Sequence, residues 1–79
     1  MLTVRYFAGA KAAAGLAEEK AEAETLGGLK AVLAERHGPG LEKVLSVSSF
    51  LVEGASTRDD DAGLEEGATV EVLPPFAGG

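Results

Sequence analysis

Seventy-nine residues with no cysteine and a formal net charge of −6 describe one small domain without disulfides or thiolate chemistry, and an acidic surface poorly suited to nucleic acid. Hydrophobic residues make up 46% of the chain, which supports a packed core, but alanine supplies much of that share, so few large side chains fill it. No apolar run approaches the roughly 20 residues that span a bilayer, and Met1 leads straight into Leu2-Thr3-Val4 without a basic leader, so neither a membrane span nor a signal peptide is expected, and the reducing cytoplasm is the expected compartment.

The first element is a strand over residues 2–7. Leu2, Val4 and Tyr6 alternate with Thr3, Arg5 and Phe7, so one face meets the core and the other carries Phe7. An aromatic on that outer face is either tucked under the next segment or part of a contact patch. Residues 8–15 are alanine-rich and bracketed by Gly9 and Gly15, which predicts a helix of about two turns. Residues 17–24 carry two conflicting signals. Ala, Glu and Lys favour a helix, whereas Glu18, Lys20, Glu22 and Glu24 alternate with Ala17, Ala21 and Ala23 as in an exposed strand, and local residues leave both open.

The main helix is expected over residues 25–37. Thr25 is the N-cap, Leu26, Leu29, Val32 and Leu33 form one apolar stripe, and Gly27-Gly28 weakens the first turn. Gly38-Pro39-Gly40 stops it, with Arg36 and His37 in the last turn, where positive charge suits the helix dipole. Leu41, Val44 and Leu45 suffice for a short helix or turn. Ser49 to Val52 reads as a strand ending at a Glu53-Gly54 turn. Residues 55–67 read as an acidic loop anchored by Leu64 and closed by a Glu66-Gly67 turn. Thr69 to Leu73 is the last strand and runs into Pro74-Pro75-Phe76-Ala77-Gly78-Gly79. If residues 17–24 form a strand, the order is β-β-α-β-β, one amphipathic helix covers one face of a small sheet, and the other face stays free for a partner.

No catalytic constellation can be assembled from these residues. His37, the single histidine, has no evident partner and reads as a helix-end residue. Asp59-Asp60-Asp61 lacks the spaced ligands of a calcium loop and reads as solvated. The glycine pairs lack phosphate-loop spacing, and Ser46, Ser48 and Ser49 lack the preceding aspartate of an acyl-carrier attachment site. The remaining unusual group is the tail. Two prolines stiffen its exit, Phe76 offers one aromatic, and Ala77, Gly78 and Gly79 are narrow enough to enter a tunnel carrying a carboxylate at the tip.

The ending from Leu73 to Gly79, behind a strand and a Glu65-Glu66-Gly67 turn, resembles that of the small, sulfur-carrying subunit of molybdopterin synthase. The start, the alanine-rich segment and the main helix agree with the same family over essentially the whole chain. The resemblance implies an α+β, β-grasp (ubiquitin-like) fold, one domain over residues 1–79 with a flexible tail at 74–79, and a strand at the ambiguous stretch. It also implies a mechanism. A ubiquitin-activating-like adenylyltransferase uses ATP to adenylate the Gly79 carboxylate, a sulfur donor protein supplies sulfur to give a thiocarboxylate, and the large synthase subunit passes that sulfur to a pterin precursor. Pro74, Pro75, Phe76, Ala77 and Gly78 would hold the tail in its partners, with Phe7 as a further contact patch. The chain would be no enzyme by itself and would bind no cofactor, metal, nucleic acid or membrane. Glu53-Gly54 and the acidic 55–63 loop depart from the family pattern. Carriers for thiazole, cysteine or tRNA sulfur share the Gly-Gly end, as do ubiquitin-like modifiers joined to lysines; Pro74-Pro75 and the helical insert at residues 8–15 favour the molybdopterin role.

Overall fold

The computed structural model describes residues 1–75. Five strands and three helices alternate along the chain: β1 (Leu2–Tyr6), α1 (Gly9–Ala14), β2 (Glu18–Ala21), α2 (Leu26–His37), α3 (Pro39–Val47), β3 (Ser49–Val52), β4 (Ala55–Thr57) and β5 (Thr69–Leu73). The strands form one mixed sheet in the order β2-β1-β5-β3-β4. Only the central β1–β5 pair is parallel; β2, β3 and β4 join antiparallel. This is the β-grasp arrangement that the resemblance implies.

The alternation of each strand sets the core. Leu2, Val4 and Tyr6 of β1, Ala21 of β2, Phe50 of β3 and Val70 and Val72 of β5 are buried in one cluster with Ala10 of α1, Leu26, Leu29 and Leu33 of α2, and Leu41 and Leu45 of α3. Val32, expected within the buried stripe of α2, lies at its flank and is only partly buried. Residues 17–24 therefore contain a strand against their helix propensity. Pairing of Leu2 with Ala21 and Val4 with Glu19 supplies what the local sequence does not.

Three expectations are corrected. The residues after Gly38 form a nine-residue helix rather than a turn, because Pro39 takes the first helical position, where its missing N–H costs nothing. The stretch after Gly54 begins with a short strand rather than a loop. Val52 pairs with Ala55, so Glu53-Gly54 is a two-residue hairpin turn, and φ of 49° and 84° give it the positive angles a type I′ turn requires. Finally, β1 ends at Tyr6, one residue before Phe7.

The acidic 55–67 stretch does more than cross solvent. Leu64 is buried, as expected, and the carbonyls of Asp60 and Ala62 accept the Gly27 and Leu26 amides at 2.9 and 3.0 Å. With Thr25 Oγ1 accepting the Gly28 amide at 3.1 Å, the first three amides of α2 have partners. Gly27 permits this approach: a Cβ there would stand 3.1 Å from Asp60 Cβ and 3.2 Å from its carbonyl. Lys30 closes the contact with an ion pair to Asp60 at 2.7 Å, its ammonium 5.2 Å from the Phe50 ring centre.

Ala8, between β1 and α1, has φ 50° and ψ −127°. An L-residue rarely adopts this conformation, whereas glycine does so readily. Ala8→Gly is expected to raise stability by about 1 kcal/mol, after the glycine's own entropic cost is deducted from the strain released. Chemical denaturation measures it, and a loss of stability would show that Ala8 is unstrained.

Candidate functional site

The site to be built is the root of the tail. β5 lies at the centre of the sheet, held by β1 on one side and β3 on the other, so the tail leaves the best-anchored strand. Its inner residues, Val70 and Val72, are fully buried, whereas Thr69, Glu71 and Leu73 face the opposite side and are partly buried. At the exit, Leu73 pairs with Ser49, Val72 pairs with Tyr6, and the Phe7 amide donates to the Val72 carbonyl at 3.3 Å. Pro74 is partly buried and Pro75 is exposed. The sequence-based site residues Phe76, Ala77, Gly78 and Gly79 lie outside the described residues, as does most of the expected flexible segment.

Phe7 therefore stands beside the point where the tail departs. It is half-buried, with the Arg5 guanidinium 5.6 Å from its ring centre. Arg5 also reaches Glu18 at 3.6 Å and Glu71 at 3.7 Å, bridging β2, β1 and β5. These exposed pairs contribute little stability. Their effect is to cover the outer face of the sheet with balanced charge around Phe7 and Leu73.

On the opposite face a polar cluster was not foreseen. His37, at the end of α2, contacts Glu19 Oε2, to which the Tyr6 hydroxyl also donates. Arg36 Nη1 donates to Glu19 Oε1 at 2.7 Å and to the Lys20 carbonyl at 2.8 Å. The expectation that His37 has no partner is thus overturned. The signal that would have revealed the cluster is Glu19 itself, which the alternation of residues 17–24 places on the alanine face, where a carboxylate needs partners.

Burial, then the Glu19 hydrogen bond, raises the Tyr6 hydroxyl far above its ordinary value. Burial opposes ionisation of Glu19, but hydrogen bonds from Tyr6, Arg36 and His37 outweigh it and hold the carboxyl below its ordinary value of 4.5. Tyr6 and Glu19 are thereby moved away from the neutral range in which an acid or base works, so the cluster joins β1, β2 and α2 and is not a reaction centre. Because the folded state depresses the Glu19 value, the stability it contributes is present above 4.5 and is lost as pH falls through the folded value. The stability difference between the chain and its Glu19→Gln variant should shrink below pH 4.5, as read by denaturation at a series of pH values. A difference that stays constant with pH would contradict this.

Among the described residues no group of three or more His, Asp or Glu is placed to hold a metal ion. Asp59 accepts the Asp61 amide at 2.9 Å, and Asp60 is engaged by Lys30. No helix among the described residues is long and apolar enough to cross a membrane. The chemistry within reach thus lies at the tail.

The profile of the ThiS family matches residues 4–79. Among solved structures, the chain is similar to one in a protein–protein complex of subunits 1 and 2 of molybdopterin-converting factor from Helicobacter pylori, at 27% identity, covering 99% of this chain and 97% of that one, with a TM-score of 0.74. It is similar to a putative molybdopterin converting factor subunit 1 from Pyrococcus furiosus at 26% identity, with coverage of 95% and 97% and a TM-score of 0.77. The small archaeal modifier protein 1 of Methanosarcina acetivorans shares the fold, with a TM-score of 0.85 at 22% identity over 99% of this chain and 95% of that one. No curated protein matches by sequence.

Proposed function

The chain belongs to the ThiS family, and from that membership we propose that it is a sulfur carrier that delivers sulfur from Gly79 to a pterin precursor in molybdopterin synthesis. The observation that carries the reading is the extent of the family match, which runs through the whole tail to Gly79. The similarity to subunit 1 of molybdopterin-converting factor supports the choice of acceptor.

The chemistry follows from what a carboxylate lacks. It is a poor electrophile, and no group near the tail root can activate it. An adenylyltransferase partner would join it to AMP from ATP, releasing pyrophosphate. The acyl–adenylate then has a good leaving group, and sulfur from a donor protein displaces AMP to leave a thiocarboxylate. The protein's own contribution is presentation. β5 anchors the root, Pro74 and Pro75 direct the exit, and Phe76 supplies an apolar anchor for a partner pocket. Ala77, Gly78 and Gly79 keep the tip slender. Phe7, beside Leu73 at the root, would extend the contact onto the sheet.

The acceptor is tested by mixing the thiocarboxylated chain with the large subunit of molybdopterin-converting factor and a cyclic pterin precursor. The expected result is loss of sulfur from the chain and its appearance in a dithiolene. A chain that keeps its sulfur there but yields it to a thiazole, cysteine or tRNA system, or that becomes linked through Gly79 to lysines of other proteins, would replace the molybdopterin reading.

A further inference from the structure

We propose that β2 opens as a unit separate from the rest of the sheet and that the Glu19 clasp to Tyr6, Arg36 and His37 is what holds it closed. The strand has little else to hold it. It is four residues long, lies at the edge of the sheet, and pairs only with β1. Its composition, Glu-Glu-Lys-Ala, favours a helix over a strand. Of its residues only Ala21 is buried, so it contributes one methyl group to the core. On the outer face it is tied by the Lys20 ammonium to Thr3 Oγ1 at 2.6 Å and by the exposed Arg5–Glu18 pair. Such surface contacts contribute little.

The inner side is different. The Glu19 side chain is only 11% exposed and that of His37 only 16%. The three partners of Glu19 come from two other elements, Tyr6 from β1 and Arg36 and His37 from the last turn of α2, and Arg36 also holds the Lys20 carbonyl. Polar contacts, rather than apolar burial, therefore join β2 to the body of the fold. Opening would free the edge of β1 while β1, β5 and β3 stay joined, because those three strands share Val4, Val70, Val72 and Phe50 in the core. Segments with little apolar burial and a solvent-facing ladder are the ones that open below the global unfolding free energy.

The test is native-state amide hydrogen exchange in low denaturant. The Tyr6 amide donates to the Ala17 carbonyl, so by antiparallel alternation the amides of Glu19 and Ala21 point into the β1–β2 ladder and report its opening. In the unaltered chain these amides should exchange through an opening with a weaker denaturant dependence than the amides between β3 and β5. Glu19→Gln should accelerate their exchange by about tenfold or more while changing those of β3 and β5 much less. Wild-type β2 amides that share one denaturant dependence with β5 overturn the proposal. So does a Glu19→Gln variant in which β2, β3 and β5 accelerate equally, since that would make the clasp a contributor to global stability only.

Discussion

Leu33→Ala is expected to remove about 2–5 kcal/mol of folding stability, the cost of deleting a buried leucine side chain whose surroundings relax only in part. Leu33 is fully inaccessible, on the central turn of α2, and its cluster joins α2 to the sheet and to α3. A domain of this size is stable by only about 4–12 kcal/mol, so one such cavity can consume most of the margin. Leu29, equally buried, should behave alike. Glu35→Ala, on the exposed side of the same helix, should stay within about 0.5 kcal/mol of the parent. Urea denaturation of the three variants decides. A loss below about 1 kcal/mol for Leu33→Ala would mean that the stripe does not carry the core.

Removal of Gly79 is expected to abolish activation while leaving the fold intact. The carboxylate would then sit on Gly78, one residue short, displaced by up to about 3.5 Å from where the chain would otherwise present it. A misplacement of even 1 Å at a reacting group can cost about 100-fold, so adenylation, read as ATP–pyrophosphate exchange with the activating enzyme, should fall by at least about that factor. Gly78→Ala should act in the same direction through added bulk in a narrow channel. Neither change should move the melting temperature, because every residue of the core cluster among the described residues lies at or before Val72. A large fall in melting temperature would assign the tail a structural role instead.

The parts of the fold legible in the sequence are those in which local pattern and burial coincide. Leu2, Val4 and Tyr6 alternate because β1 buries one face, and Leu26, Leu29 and Leu33 recur at helical spacing because α2 buries one stripe, with Thr25 capping it as its side chain suggests. Where burial is slight, the pattern fades. Ala55, Ser56 and Thr57 form β4 with no large apolar residue, so nothing in them announces a strand. Pro39 signals the end of one helix and begins the next with the same fixed φ, and local sequence does not separate the two roles. β2 was undecidable locally because its strand state is supplied by β1 and by Glu19.

The candidate site divides in the same way. Phe7 was legible as an outward aromatic, and the structure adds its place beside the tail root and its contact with Arg5. The Glu19–His37 contact joins residues eighteen positions apart and depends on β2 being a strand, so it could not be read before the fold was known. The tail was legible through family resemblance, since four residues of small side chain carry no fold pattern of their own.

The most direct measurement of the central claim is the intact mass of the chain after incubation with its activating enzyme, ATP and a sulfur donor. The account predicts a shift equal to the difference between a sulfur and an oxygen atom, located at Gly79 by fragmentation and absent when ATP is withheld. An unchanged mass in the presence of a demonstrably active enzyme, or a shift located at any other residue, would contradict it.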